Sequence, residues 1–138
     1  MKAVVQRVLD ASVRVGQALY GRIDRGLLVY LGVAAGDTEQ DAGKLAEKIA
    51  YLRIFNDGEG KMNLSIKDLK APAEVPVPPG APAIADVPSP IGVPDPAEIP
   101  APLGVLVVSQ FTLLADVRKG RRPFYGGAAD SGLARSLY

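Results

Sequence analysis

Proline is distributed very unevenly along this chain, and that distribution constrains the fold more than any other feature. Eleven of the 12 prolines lie between Pro72 and Pro102, and the remaining one is Pro123. Proline fixes φ and lacks the backbone N–H that helices and sheet ladders require. Residues 71–102 are therefore predicted to form neither a helix nor a central strand, but a polyproline-II-like or mobile excursion.

This proline-rich stretch has two interpretations. It is either a PxxP-type ligand for a partner protein or a loop insertion that the fold tolerates, because lengthening a loop costs little free energy. The second is favoured, since residues 71–102 contain no Lys or Arg, and such ligands usually carry a basic residue. The stretch holds four acids, so the other 106 residues carry a net charge of about +5, against +1 for the whole chain.

The residue types that are missing exclude several kinds of chemistry. The 138 residues fit one domain and contain no Cys, which excludes disulfides, thiolate metal sites and a Cys nucleophile. They also contain no His, which excludes Ser-His-Asp and Cys-His mechanisms, His-ligated zinc and a His general base. No cofactor or metal is predicted, so any catalysis has to use carboxylates, hydroxyls, Lys or Arg, backbone amides or a substrate group.

The sequence predicts a soluble, cytoplasmic protein. No apolar run reaches the roughly 18 residues of a membrane-spanning helix. The N-terminal segment MKAVVQRVLD carries charge too early for a signal peptide.

Hydrophobic periodicity predicts strands followed by a helix that packs on the sheet. Short alternating Val-rich runs predict strands at 2–8 and 11–16, and the continuous apolar run 25–34 suits a central strand. Residues 36–52 change to helical spacing, with Asp37 or Thr38 as the cap. One apolar stripe predicts that this helix, about four turns long, packs on the sheet: Ala42, Leu45, Ala46, Ile49 and Leu52.

Three further elements are predicted nearer the C-terminus. The segments RIF and KMNLSI flank the turn NDGEG and predict a hairpin. Residues 104–111 resume the sheet after the proline-rich stretch. A helix then starts at about residue 132, with Asp130 or Ser131 as its cap, and the sequence stops inside it.

Three polar side chains stand at the end of the last predicted strand, in the segment VVSQFTLLAD. On a continued strand, Gln110 and Thr112 share one face, whereas Ser109, Phe111 and Leu113 share the other, so that Phe111 anchors the strand in the core. The polar pair then lines a pocket, and the N–H groups of Phe111 and Thr112 can hold a developing oxyanion. Alternatively, Ser109 and Thr112 are ordinary strand-end residues that bond to backbone or water, which is the reading that pattern alone favours. Thr112 as a nucleophile requires an adjacent base, which the sequence does not place there.

A basic loop follows directly, in the segment VRKGRRPFYGG. Its cations are candidates for phosphate binding, and Phe124 and Tyr125 are candidate stacking faces for bases: Arg118, Lys119, Arg121 and Arg122. A solvated surface turn is the plain alternative. The position of this loop, immediately after the polar strand end, favours a site for an ester carried on a polyanion.

The sequence resembles the D-aminoacyl-tRNA deacylases, also called D-tyrosyl-tRNA(Tyr) deacylases. The matching segments run in order through nearly all of the chain outside 71–102, and SQFTL is the family signature. They are VVQRV (4–8), ASV (11–13), GLLVYLGV (26–33), GDT (36–38), KLAEKI (44–49), LRIF (52–55), GKMNLS (60–65), SQFTL (109–113) and the AD…RKG…RP residues of 115–123.

The resemblance implies a homodimer with an α/β fold and an antiparallel-rich, barrel-like sheet core with packed helices. It also implies hydrolysis of the ester between a D-amino acid and the 3′-terminal ribose of tRNA, a proofreading activity in translation, with mischarged glycyl-tRNA as a second substrate.

The catalytic residues of the family map onto Ser109, Gln110, Phe111 and Thr112. In one view of the family, the Thr is a nucleophile. In the other, main-chain amides bind the oxyanion and the ribose 2′-OH assists water. The absence of His favours the second view. Arg7 matches the Arg that braces the chiral-selecting loop.

Two departures from the family pattern stand out. Leu114 replaces the usual Tyr, and nothing matches the Gly–cis-Pro element with which the family rejects L-amino acids. The expectation is therefore a single deacylase-like domain over 1–138, with an insertion at 71–102 and a truncated C-terminus. The alternative function is a truncated, non-catalytic, dimeric relative that binds tRNA.

Overall fold

The computed structural model describes residues 1–69 and 103–138, so the predictions for the proline-rich stretch lie outside the described residues. The described part contains seven strands and two α-helices, in the order β1 (Lys2–Val8), β2 (Ala11–Val15), β3 (Ala18–Ile23), β4 (Gly26–Gly32), α1 (Glu39–Ala50), β5 (Phe55–Asn56), β6 (Met62–Leu64), β7 (Gly104–Ser109) and α2 (Ser131–Leu137). None of the helices in this part has the length and hydrophobicity needed to span a membrane.

The central sheet has the order β1-β4-β7. Strand β4 pairs antiparallel with β1 and parallel with β7, in a register that sets Gly26 beside Gly104 and Leu31 beside Ser109. The prediction that the apolar run 25–34 forms a central strand is therefore confirmed. The run is continuous because β4 lies between two strands and is covered on both faces.

The hydrophobic core lies on one face of β4. Leu27 and Val29 are fully buried there together with Phe55 of β5, and Ile49 of α1 packs against this cluster. Leu28 points to the other face beside Leu106 of β7.

The β2–β3 hairpin covers that other face of the sheet. A Cβ atom added to Gly21 of β3 would lie 3.1 Å from Leu106 Cδ1, so the hairpin backbone comes close to the sheet. The β5–β6 hairpin is antiparallel, as predicted. The architecture is thus α/β with antiparallel-rich sheets, while barrel-like closure stays a prediction, because the described strands form three separate hydrogen-bonded groups.

Thr38, and not Asp37, caps helix α1. The Thr38 side chain accepts from the Asp41 N–H, and the Asp41 carboxylate accepts from the Thr38 N–H at 3.0 Å, which closes a capping box. Asp37 is engaged elsewhere, since its carboxylate accepts from the Ala34 N–H and pairs with the Met1 ammonium. The helix is 12 residues long and ends at Ala50, so Leu52 lies outside it.

An apolar cavity of about 470 Å³ separates α1 from the central sheet. Its walls include Ala46 and Ile49 of α1, Val29 and Leu31 of β4, and Val107 of β7. This space explains why α1 has no fully buried residue, although its apolar stripe faces the sheet. None of the predicted site residues lines the cavity.

Candidate functional site

The candidate site is built on the backbone turn that follows β7. The strand ends at Ser109, and the Gln110 N–H makes a last bond across the sheet to the Leu31 carbonyl oxygen at 2.7 Å. Residues Phe111–Leu114 then form a 3₁₀ turn, in which the Leu113 N–H donates to the Gln110 carbonyl at 3.2 Å. The prediction that 110–113 alternate between two strand faces is therefore wrong, because the chain has already left the sheet.

Gly32 allows this turn to lie directly on β4. A Cβ atom at Gly32 would lie 3.1 Å from both the Gln110 carbonyl oxygen and the Leu113 Cβ, and closer still to the Leu114 side chain. Any side chain at position 32 would therefore push the turn away from the strand. Sequence reasoning missed this residue, although a glycine that closes the apolar run GLLVYLG is the signal by which it could have been found.

Two backbone donors of the turn are unused. Among the described residues, the N–H groups of Phe111 and Thr112 donate to no protein acceptor. The cause is general, because the first N–H groups of a helical turn have no carbonyl one turn earlier to bond to. Adjacent N–H groups of this kind can bind an oxyanion or a carbonyl oxygen.

The only hydrogen-bonding partner of the Thr112 hydroxyl in the described part of the chain is the Gln110 side chain. Gln110 Nε2 donates to Thr112 Oγ1, and both residues are half-buried. A carboxamide nitrogen cannot accept a proton from the hydroxyl, so this partner is no general base. The structure thus brings Gln110 and Thr112 together, whereas Ser109 stays at the exposed end of the strand.

Phe111 does not anchor the strand in the core, contrary to the prediction. Its side chain is 58% exposed, because the 3₁₀ turn rotates it off the sheet face that it would occupy on a continued strand. The ring instead meets Tyr125 edge-to-face, with the centroids 5.2 Å apart and the planes at 68°. This aromatic pair joins the turn to the end of the basic loop.

The basic loop is a closed hairpin. Asp116 and Phe124 exchange two backbone hydrogen bonds of 2.8 and 2.9 Å, and Gly120 adopts a φ of +131° at its tip, a conformation that side chains rarely allow. The loop is therefore a defined projection beside the candidate site. Phe124 is 69% exposed at its base.

The four cations of this hairpin are not equivalent. Arg118 Nη2 lies 2.6 Å from Asp116 Oδ2, and Arg118 Nε lies 3.0 Å from both carboxylate oxygens. The hydrogen bonds from the Arg118 side chain are the main cause that lowers the pKa of Asp116 to about 2. The remaining cations extend into solvent and form no ion pair among the described residues: Lys119, Arg121 and Arg122.

Arg7 lies on β1 and is bound to the β5 segment. Its Nη1 donates to the Ile54 carbonyl oxygen and to Asn56 Oδ1, each at 2.8 Å. The residue thus joins the edge strand of the sheet to the β5–β6 hairpin. No group of three or more acidic side chains within the described residues is arranged to hold a metal ion.

Comparison with known families and proteins gives consistent results. The family model described as D-Tyr-tRNA(Tyr) deacylase matches residues 4–75 and 98–138. A protein of Dehalococcoides mccartyi strain BAV1 named D-aminoacyl-tRNA deacylase is 49% identical over 138 residues, which cover all of this chain and 69% of that protein. A protein of the same name from Desulforamulus reducens is 44% identical, with 71% of its length covered.

The fold is also found among solved structures. The c-Myc DNA unwinding element binding protein aligns with a TM-score of 0.70 and 32% sequence identity. The alignment covers all of this chain and 71% of that structure. The sequence alignments and the structural alignment therefore each cover the whole of this chain.

Proposed function

The chain belongs to the D-Tyr-tRNA(Tyr) deacylase family, and from this membership we propose that it hydrolyses the ester of D-aminoacyl-tRNA. The products are a free D-amino acid and a tRNA that can be charged again. Glycyl-tRNA formed on the wrong tRNA is a second proposed substrate, because glycine has no side chain for a chiral site to reject. The activity is a proofreading step of translation and belongs in the cytoplasm, where charged tRNA is used.

The proposed mechanism relies on the two free amides of the turn. The N–H groups of Phe111 and Thr112 bind the ester carbonyl and stabilise the negative charge that develops on it when water attacks. One such donor contributes about 3 kcal/mol in acyl-transfer enzymes. The single observation that carries this proposal is that these amides have no protein acceptor in the described part of the chain, at a turn that the rest of the fold holds in place.

Thr112 is not the proposed nucleophile. Its hydroxyl has no basic partner among the described residues, and the whole sequence lacks the imidazole that usually activates such a group. We propose that water is the nucleophile instead. The ribose 2′-OH next to the ester guides this water, so that no basic side chain of the protein is needed. The reaction thus needs the protein to position and polarise the ester, not to attack it.

The basic hairpin is the proposed contact for the tRNA backbone. Lys119, Arg121 and Arg122 are free to bind phosphates close to the turn that receives the ester. The exposed Phe124 ring and the Phe111–Tyr125 pair offer faces on which bases of the single-stranded tRNA end can stack.

The homodimer and the chiral-selecting loop are also part of the proposal, by analogy with the family. Arg7 supports this loop by fixing Ile54 and Asn56. The proposal thus assigns Arg7 to support of the loop and the turn to chemistry.

The test removes one backbone donor and keeps the fold. Proline is tolerated at the first position of a helical turn, and Gln110 before it, with φ −144° and ψ 85°, lies outside the helical region that proline disfavours in the preceding residue. We expect Phe111→Pro to lower kcat for D-Tyr-tRNA about 100-fold relative to Phe111→Ala, which loses the ring but keeps the N–H.

Equal rates for Phe111→Pro and Phe111→Ala would overturn the role of the amide. A wild-type protein that binds tRNA in a salt-sensitive manner but releases no D-tyrosine would overturn the hydrolase and support the non-catalytic alternative. Release of tyrosine is measured with isotopically labelled D-Tyr-tRNA.

A further inference from the structure

Four side chains of the β2–β3 hairpin take no part in the candidate site. In the antiparallel register Ser12 lies opposite Arg22, and Arg14 follows Ser12 two residues later on the same face of β2. Tyr20 precedes Arg22 by the same interval on β3. These four side chains therefore share one face of the hairpin, and we call them the outer patch.

Gly21 shows that the outer patch points away from the central sheet. It stands between Tyr20 and Arg22, and a Cβ atom there would lie 3.1 Å from Leu106 Cδ1 of the sheet. Because side chains alternate along a strand, the two neighbours of Gly21 point outwards. The register also shifts beside Arg14, so that Tyr20 has no paired residue in β2, and a bulge of this kind re-aims a side chain. Tyr20 is accordingly 63% exposed.

Arg22 carries a buried hydrogen-bond donor without an acceptor. Its Nη1 atom has no hydrogen-bond partner among the residues that the structure describes. Its ion pair with Asp24 is loose, because 3.6 Å between Arg22 Nη2 and Asp24 Oδ1 is too long for a hydrogen bond. Buried polar groups nearly always have a partner, so this donor indicates an acceptor from outside the described residues.

We propose that the outer patch is a second contact surface for RNA, with one phosphate bound between Arg14 and Arg22 and a neighbouring base stacked on Tyr20. Diagonal side chains of an antiparallel pair stand about 7–8 Å apart, so the two long arginines can converge on one group. The guanidinium N–H groups match phosphate oxygens in pairs. An exposed aromatic ring accepts the face of any base, which favours a nucleic acid over an acidic peptide.

The outer patch lies on the same side of the central sheet as the candidate site. Gly32, on which the turn after β7 rests, and Leu28, which lies beside Leu106 below the hairpin, are four residues apart on β4 and share one face. They are about 13 Å apart along the strand, so an RNA strand whose end lies at the turn can continue across the hairpin. The identification of this RNA as tRNA rests on the proposed function, whereas the phosphate chemistry of the patch does not.

Binding of uncharged tRNA, which involves no ester, tests this surface. We expect the double variant Arg14→Ala/Arg22→Gln to reduce the slope of log K against log[salt] by about 0.7–0.9, the value for one lost phosphate contact. Tyr20→Leu should weaken binding about 5- to 10-fold without a change in slope, because stacking on a ring releases no counterion. The control is Arg135→Ala, an exposed arginine on α2, which ends at the cavity on the opposite face of the sheet.

A second variant keeps the charge at position 22, because only 25% of the Arg22 side chain is exposed and its replacement by a neutral residue could disturb the hairpin. Arg22→Lys retains one positive charge but loses the paired N–H groups that fit a phosphate. We expect it to keep the wild-type salt slope and to weaken tRNA binding about 3- to 10-fold. Far-ultraviolet circular dichroism checks the fold of each variant.

Three results would overturn this inference. A wild-type salt slope in the folded double variant would mean that no RNA phosphate binds between the two arginines. An equal loss of slope in Arg135→Ala would mean that the effect follows net charge and not position. Wild-type affinity in Tyr20→Leu would remove the stacked base.

Inorganic phosphate distinguishes a strand of RNA from a free anion. In NMR spectra, a short single-stranded RNA should shift the Arg22 side-chain N–H signals and the Tyr20 ring signals. Inorganic phosphate at the same phosphate concentration and ionic strength should shift neither. Equal shifts of Arg22 with inorganic phosphate alone would mean a site for the free ion and would overturn the RNA surface.

Failure of this inference differs from failure of the proposed function. If the wild type releases D-tyrosine while the double variant binds tRNA as the wild type does, only the outer patch is overturned. If the double variant loses salt slope while the wild type releases no D-tyrosine, the outer patch is supported and the hydrolase is overturned.

Discussion

The carbonyl oxygen of Leu31 accepts a 2.7 Å hydrogen bond from the backbone N–H of Gln110. This bond joins the middle strand of the sheet to the turn that carries the candidate site. Because Leu31 itself is buried, the position of the turn is set by the best-packed part of the molecule. The packing of the central strand therefore controls the geometry of the unused amides.

The first prediction concerns Gly32. In Gly32→Ala the new methyl group would press against the Gln110 carbonyl oxygen and Leu113, so the turn has to move. We expect a loss of about 1–3 kcal/mol in the free energy of unfolding, as for other overpacked sites, and a fall in kcat that exceeds the change in KM. Urea unfolding and deacylation kinetics check both. Unchanged kcat would show that the turn tolerates displacement.

The second prediction uses a glycine where space is available. Gly43 lies inside α1, and a Cβ atom there would meet nothing within 4 Å. Gly43→Ala should therefore raise the free energy of unfolding by about 0.5–1 kcal/mol, because alanine loses less conformational entropy in a helix. Deacylation rates should not change. A destabilised Gly43→Ala variant would contradict the described position of the helix.

The third prediction separates the cations of the basic hairpin. Lys119→Ala, Arg121→Ala and Arg122→Ala should each reduce the slope of log K against log[salt] for tRNA binding by about 0.7–0.9, the value for one lost phosphate contact. Arg118→Ala should reduce it less, because Asp116 already neutralises that guanidinium. Lys48→Ala on α1 is the control, and an equal effect there would argue against a local contact.

The fourth prediction concerns pH. Hydrogen bonds from the Arg118 side chain, and next from its backbone N–H, lower the pKa of Asp116 from 3.8 to about 2, so the carboxylate favours the folded loop at pH values above about 4. This contribution is lost as the pH falls from about 4 through 2, where the carboxylate becomes protonated in the folded protein as well. An NMR titration of Asp116 should give a midpoint near 2 in the wild type and nearer 3.8 in Arg118→Ala. Identical midpoints would contradict the described ion pair.

Local patterns were sufficient to predict most of the elements but not their ends. Alternation predicted β1 and β2, and the helical stripe predicted α1. Strand β3 was missed because Gly21 interrupts its pattern, and the reason for that glycine is its close approach to Leu106 on another strand. Contacts of this kind join distant parts of the sequence and leave no local signal.

The backbone of the candidate site likewise depends on contacts with residues that are distant in the sequence. Phe111 and Leu113 continue the alternation of β7, so the pattern extends the strand past the point at which the chain leaves the sheet. The exit depends on Leu31 and Gly32, which lie about 80 residues earlier and are joined to the turn only by the fold. By contrast, the Gly and Pro residues of the basic segment were sufficient to predict a loop, although its hairpin pairing and the contact of Arg118 with Asp116 were not evident from the sequence.

The parallel pairing of β4 with β7 has a consequence for the order in which the molecule assembles. Residues that are near in sequence come together in α1, in the β2–β3 and β5–β6 hairpins and in the β1–β4 pair. The β4–β7 pair instead joins Gly26 to Gly104, which lies far along the chain. Long-range pairing of this type is slow, because the intervening chain loses entropy before any contact compensates for it. After dilution from denaturant, ester hydrolysis should therefore return only with the slowest refolding phase, later than the helical circular dichroism signal of α1.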